Sequence, residues 1–267
     1  MVRSPRLKSK PPKKPLRLPW RDILDVLALG TWSAMLIRYW VGGKLLLLLH
    51  PDYAWLSNVA AIVLIFLASS QVVRLFKARR RTVGKTGADL GHVTLLPPSF
   101  SSALMLAVAV FGLIYTPRAF ASETAIARGI SDSLTLTRSQ PQRFARAADP
   151  AERTLIGWIR LVNAYPEPDA YAGEPVAIKG FVMHPKEWPE NYIMVARFVL
   201  TCCAADAYPV GLPVKLGAEN SRSDYPVDGW LEVKGEMATE ELDGRRQIAI
   251  APADLTAIAE PDNPYEY

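Results

Sequence analysis

Only two cysteines and three histidines occur in 267 residues. So few cysteines exclude a small secreted fold stapled by disulfides. The histidines, His50, His92 and His184, are scattered and set up no acid–base pair. Phosphate-cradling loops are missing too: neither GxxxxGK[ST] nor GxGxxG occurs, and HExxH and GxSxG are also absent. No paired-carboxylate pattern stands out from a solvated acidic surface, so the chain is not expected to be an enzyme. Acidic residues are themselves rare in the first half. Up to Pro117, 16 Lys and Arg stand against 4 Asp and Glu, a net charge of +12. From Arg118 onward 15 basic residues meet 22 acidic ones, a net charge of −7. The +5 of the whole chain therefore averages two opposite halves. An acidic second half offers no clustered Lys and Arg to track phosphates, so no nucleic-acid partner is expected.

What is present is apolar sequence. Half of the residues are hydrophobic and 21% are charged, which excludes a disordered chain. A bilayer is crossed by ~20 apolar residues in a helix, and three stretches qualify, at about 23–41, 53–73 and 99–117. Pro97-Pro98 suits the start of the third, and Pro117 its end. Basic residues near span ends set orientation. They crowd the tail, from Arg3 to Arg21, and the segment from Arg74 to Lys85, whereas the loop between the first two spans has only Lys44 and Asp52. This predicts a multi-pass protein of the plasma (inner) membrane with a cytoplasmic N-terminus and everything after the third span extracytoplasmic. The expected organisation is a basic tail (1–20), a transmembrane region (21–118), a linker (119–172) with a helix near 151–163, and a β domain (173–267). Ala119-Phe120-Ala121 has the A-x-A form of a signal-peptidase site, and small residues of this kind also suit a linker.

After Gly173 the pattern becomes β. The stretches 175–183, 192–203, 212–216, 230–237 and 246–250 read as strands, with a hairpin signal at Asp243-Gly244. Gly180 and Gly235 are the expected bends. The fold class expected is therefore membrane α, with about three transmembrane helices, followed by a mainly β extracytoplasmic domain, an OB-like Greek-key small barrel. Helix 151–163 has Asp149 as its candidate cap.

One segment carries candidate chemistry: Arg197-Phe-Val-Leu-Thr-Cys202-Cys203-Ala-Ala-Asp206. Two thiols and a carboxylate within five residues suit a soft or borderline metal such as zinc, with His184 as the candidate fourth donor. Against this, neighbouring strand residues face opposite ways, so both cysteines reach one metal only if the chain turns. Core packing and a hydrogen-bonded turn account for the same residues. Arg197, in an apolar strand, needs a carboxylate partner, Asp206 or another carboxylate such as Asp254.

The segment Val195–Gly211, the strand Trp230-Leu-Glu-Val-Lys-Gly235 and the ending Pro261-Asp-Asn-Pro264-Tyr265-Glu-Tyr267 together resemble the YcgQ-like family of two-component permease subunits. The resemblance carries over Arg197, Cys203, Asp206 and Gly211 as motif residues, and similar proteins can have histidine at the place of Cys202. It implies a membrane protein working beside a separate, larger polytopic permease, with a link to zinc homeostasis in some members. Some members also carry a histidine-rich loop between spans two and three. Here that loop has His92 alone, which puts cytoplasmic metal capture in doubt. The expected function is an accessory subunit whose outer domain gates or binds the solute. The alternative is a membrane-anchored metal-binding or thiol-redox protein acting without a permease.

Overall fold

Helix accounts for the apolar first half. The computed structural model describes residues 20–80, 98–130 and 150–267. The basic tail to residue 19, most of the basic loop with His92, and the expected cap Asp149 lie outside the described residues. Helix α1 spans Trp20–Val41, α2 Pro51–Arg80 and α3 Pro98–Ile114. Proline opens α2 and α3, at a position where its missing N–H leaves no intrahelical bond unmade.

Among the described residues one helix, α2 over Pro51–Lys77, is both long and apolar enough to cross a membrane. The expected first and third spans fall short of that measure. Helix α1 has 22 residues but carries Arg21, Asp22, Asp25 and Arg38. Helix α3 is apolar but has only 17 residues, about 26 Å at ~1.5 Å per residue, short of a ~30 Å hydrocarbon core.

The chain divides into two compact units, one of Met1–Ile37 with Val59–Tyr115, the other of Arg38–Asn58 with Thr116–Tyr267. In the first, small residues let the helices approach: Ala28, Ala61 and Ala109 are buried. Polar groups join them. The buried Ser33 hydroxyl donates to the Ala61 carbonyl at 2.9 Å, Trp32 Nε1 donates to the Met105 carbonyl at 3.0 Å, and Ser102 donates to Asp25.

The second unit is built on a five-stranded barrel. Its strands are β1 (Pro175–Met183), β2 (Tyr192–Val199), β3 (Tyr208–Lys215), β4 (Trp230–Leu242) and β5 (Arg245–Ile258). They pair in the order β1-β4-β5-β3-β2, and β1 closes on β2. All pairs are antiparallel except β3 with β5. A two-residue strand, β6 (Tyr265–Glu266), adds in parallel to β2. Asp243 and Gly244, both with positive φ, make the tight turn between β4 and β5.

Both faces of β2 are buried, which explains its unbroken apolar run. Ile193, Val195 and Val199 pack in the larger core, and Met194, Ala196 and Phe198 in a second cluster. After the short helix α4 (Ser122–Ala127), helix α5 (Leu155–Ala164) closes the larger core with Leu155, Trp158 and Ile159. Its N-cap is Thr154, whose hydroxyl accepts from Gly157 N–H at 3.2 Å. The second cluster gathers Phe181, Trp230 and Tyr265 with Leu47, from the connector between α1 and α2.

The glycines foreseen as bends are sites of close approach. A Cβ at Gly235 would lie 2.2 Å from the Ala251 carbonyl oxygen, beside the register shift between Lys234 and Gly235. Gly235→Ala is accordingly expected to destabilise the barrel by about 1–3 kcal/mol. A thermal unfolding curve of the full-length protein, read on barrel tryptophan fluorescence, checks this.

Candidate metal centre

Strand β2 ends at Val199, four residues before the end expected from sequence. The chain then turns, and Ala204–Asp206 forms one 3-10 turn. The alternation that would have pointed Cys202 and Cys203 apart is therefore lost. Their Sγ atoms lie 3.7 Å from each other. With an Asp206 oxygen, these ligand atoms all fall within 4.8 Å of one another. Both cysteines are free; Cys202 is exposed and Cys203 half-buried.

Asp206 also builds the turn. Its carboxylate accepts from Cys202 N–H at 3.0 Å and from Cys203 N–H at 3.1 Å, and the Cys203 sulfur accepts from the Asp206 backbone in return. Partial burial pushes the Asp206 carboxyl up, but hydrogen bonds from the Cys202 thiol and from the backbone of Cys203, Cys202 and Thr201 outweigh it and hold the carboxyl below its usual value. The reverse applies to the thiol. Donating to Asp206, and next to Cys203, Cys202 is pushed up to about 11.

Zinc, implied by the family resemblance, fits this donor set. Tetrahedral zinc with Zn–S near ~2.3 Å places two sulfurs about 3.8 Å apart, and the thiols already stand at 3.7 Å. Cys202, Cys203 and Asp206 would hold the ion and leave a fourth position open. His184 is not among the residues brought together. It follows β1, whose Met183 pairs with Met194, so it lies opposite Ile193, on the order of 20 Å along β2 from Val199 at ~3.3 Å per residue, and its Nε2 lies 2.9 Å from the Tyr225 carbonyl. Burial lowers its pKa, opposed by that hydrogen bond.

The turn is held by elements that sequence did not connect to it. Leu49 and Cys203 form an isolated antiparallel bridge. His50 N–H donates to the Cys202 carbonyl at 3.1 Å, and Ala204 N–H to the Leu48 carbonyl at 2.8 Å. Arg128, just after α4 (Ser122–Ala127), donates to the carbonyls of Ala204 and Ala207.

Arg197 pairs with a carboxylate, as expected, but with neither Asp206 nor Asp254. Its Nη1 pairs with Glu266 Oε1 at 3.3 Å, and the rest of the guanidinium donates to the carbonyls of Asn263, Pro264 and Tyr265. The other Glu266 oxygen accepts from Ile156 N–H, in the first turn of α5, at 2.7 Å. Burial lowers the Arg197 pKa, and the Glu266 charge opposes the shift. The signal in the sequence was a lone acid between two aromatics, Tyr265-Glu266-Tyr267. Gly211 and Trp230 are packing residues. A Cβ at Gly211 would press on Met194 at 2.9 Å, and Trp230 sits edge-on to Phe181. The A-x-A segment is also engaged: Phe120 packs on Phe198 and Tyr265, and its N–H donates to the Tyr265 hydroxyl.

Two outcomes follow. Glu266→Gln leaves the buried Arg197 charge uncompensated and is expected to cost about 3–5 kcal/mol in unfolding free energy, with Arg197→Met in the same chain recovering part of it. Denaturant titration of the single and double variants measures this. Because the hydrogen bond from its thiol to Asp206 keeps Cys202 protonated, iodoacetamide should alkylate Cys202 slowly at neutral pH, its rate climbing only as pH approaches about 11. Asp206→Asn should move that climb to lower pH, as peptide mass spectrometry over a pH series would record.

Residues 156–267 match the family described as DUF1980 C-terminal domain. Over 109 residues the chain is 27% identical to the UPF0703 protein YcgQ of Bacillus subtilis (strain 168), a match that covers 40% of this chain and 37% of that protein. No solved structure matches.

Proposed function

We propose, from the premise that residues 156–267 form a C-terminal domain of the YcgQ-like family, that the protein is an accessory subunit of a membrane permease. The observation that carries this reading is the joining, in one chain, of a membrane-length apolar helix and that domain. The helical unit is suited to a lipid or permease environment. Phe66 on α2 and Ile114 on α3 are 71% and 68% exposed, an unfavourable surface in water. All three helices cross the membrane in this reading. The charges of α1 lie towards its ends, apart from Asp25, which is engaged by Ser102. A bilayer adapts to a short helix such as α3 at a modest cost per ångström.

With the basic segments cytoplasmic, three crossings put the barrel outside, where it would bind the transported solute or gate its exit. The pairing order, with β3 parallel to β5, supports an OB-type barrel. A second reading, a membrane-anchored metal-binding or thiol-redox protein without a permease, is favoured by the Cys202–Cys203–Asp206 cluster. Its redox form is the weaker, because a thiol pushed up to about 11 is a poor nucleophile at neutral pH.

Purification from native membranes in mild detergent separates the two. A polytopic permease should accompany the tagged protein in near-stoichiometric amount. Recovery as a lone species under every solubilisation condition overturns the accessory-subunit reading.

A further inference from the structure

The turn that brings the thiols together is also the edge on which the α1–α2 connector rests. Within the barrel unit, residues 202–204 form the connector's backbone contacts through Leu48, Leu49 and His50. Leu47 is buried in the barrel's second cluster. The side chains of Cys202, Cys203 and Asp206 are therefore donors on the same few residues whose backbone holds the seam. We propose that Cys202, Cys203 and Asp206 form a three-donor site for a thiophilic divalent cation of the zinc class, and that filling it tightens the seam between the barrel and the connector Gly42–His50.

The inference deepens the metal-binding reading and rests on it. Three observations lead to it. The sulfurs already stand at the separation a tetrahedral ion requires, so binding needs little rearrangement. Cys202 is exposed, so a cation has access from solvent. Asp206 is oriented by the N–H groups of Cys202 and Cys203, which fixes a first-layer carboxylate in place as outer hydrogen bonds do in metal sites. Binding is a proton exchange: two thiols lose their protons to solvent as two metal–sulfur bonds form, and no electrons move. The ion would then cross-link positions 202, 203 and 206, leaving the turn fewer ways to open. Opening that turn is what frees His50 N–H and Ala204 N–H from their partners, so both should become better protected.

The test uses the full-length protein in nanodiscs, with zinc as the probe and magnesium as a hard-cation control. Equilibrium dialysis should give one zinc per chain, lost in Cys203→Ser. Hydrogen exchange read by mass spectrometry should slow by about tenfold with zinc in peptides covering 47–53 and 200–207, and magnesium should change nothing. Serine keeps an acceptor for the Asp206 N–H, so Cys203→Ser should retain the turn; unchanged protection of β4 and β5 verifies the fold. Cys202→Ser provides an independent variant with the same expected loss. No stoichiometric zinc in the wild-type chain overturns both this proposal and the metal-binding reading. Zinc bound at one per chain with unaltered exchange at 47–53 overturns the coupling alone and leaves that reading standing.

Discussion

The barrel unit is organised around one buried ion pair, Arg197 with Glu266. A guanidinium set into an apolar strand is costly in isolation, and the cost is offset only if nearly all of its donors find acceptors. Here the segment Asn263–Tyr267 supplies them, through three carbonyls and one carboxylate. The same carboxylate reaches the first turn of α5, so one acid joins β2, β6 and the helix that closes the core. Position 197 has the parity of Val195 and Val199, which face the larger core. The pair thus stands where the apolar interior gives way to polar surface, and it fixes where the helix and the final strand dock.

What surrounds that pair extends the same logic. Tyr265 accepts from Phe120 N–H, and Tyr267 presents its ring to His50 with centroids 4.6 Å apart. The final residues therefore hold the approach to α4 and the α1–α2 connector against the barrel. The cysteine turn lies on the same side, and its carboxylate has two duties. Asp206 keeps the turn closed through backbone N–H groups, and by accepting a hydrogen bond from the neighbouring thiol it keeps that thiol protonated. A cation of sufficient affinity for sulfur would replace that proton without dismantling the turn, whereas an electrophile meets a thiol of low reactivity.

The helical unit poses a different balance. In water its exposed aromatic and aliphatic side chains would be a liability; in lipid they are neutral, and association is left to close packing and a few polar contacts. Ser33 with Ala61 and Asp25 with Ser102 are contacts of that kind. They satisfy polar groups internally, as a segment placed in a poorly hydrated environment requires.

Much of the architecture was legible along the chain because it depends on local periodicity. Alternation and β-branched runs marked the positions of the strands, and Asp243-Gly244 marked their tightest turn. The apolar run 53–73 marked the membrane-length helix. Where the reading failed, the cause was contact between distant segments. Strand β2 stops at Val199 because the chain leaves the ladder to meet the connector, so the cysteines share a turn and not a strand. His184 is remote because β2 lies between it and the turn. Arg197 pairs with an acid 69 residues away, not with the nearer Asp206, whose oxygens are taken by backbone N–H groups. Sequence alone determined which segments are apolar, which are extended, and which side chains have chemistry to offer. Tertiary structure alone decided which of them meet, because hydrogen-bond partners and burial are properties of neighbours in space, and this chain draws those neighbours from its helical connector and its final residues.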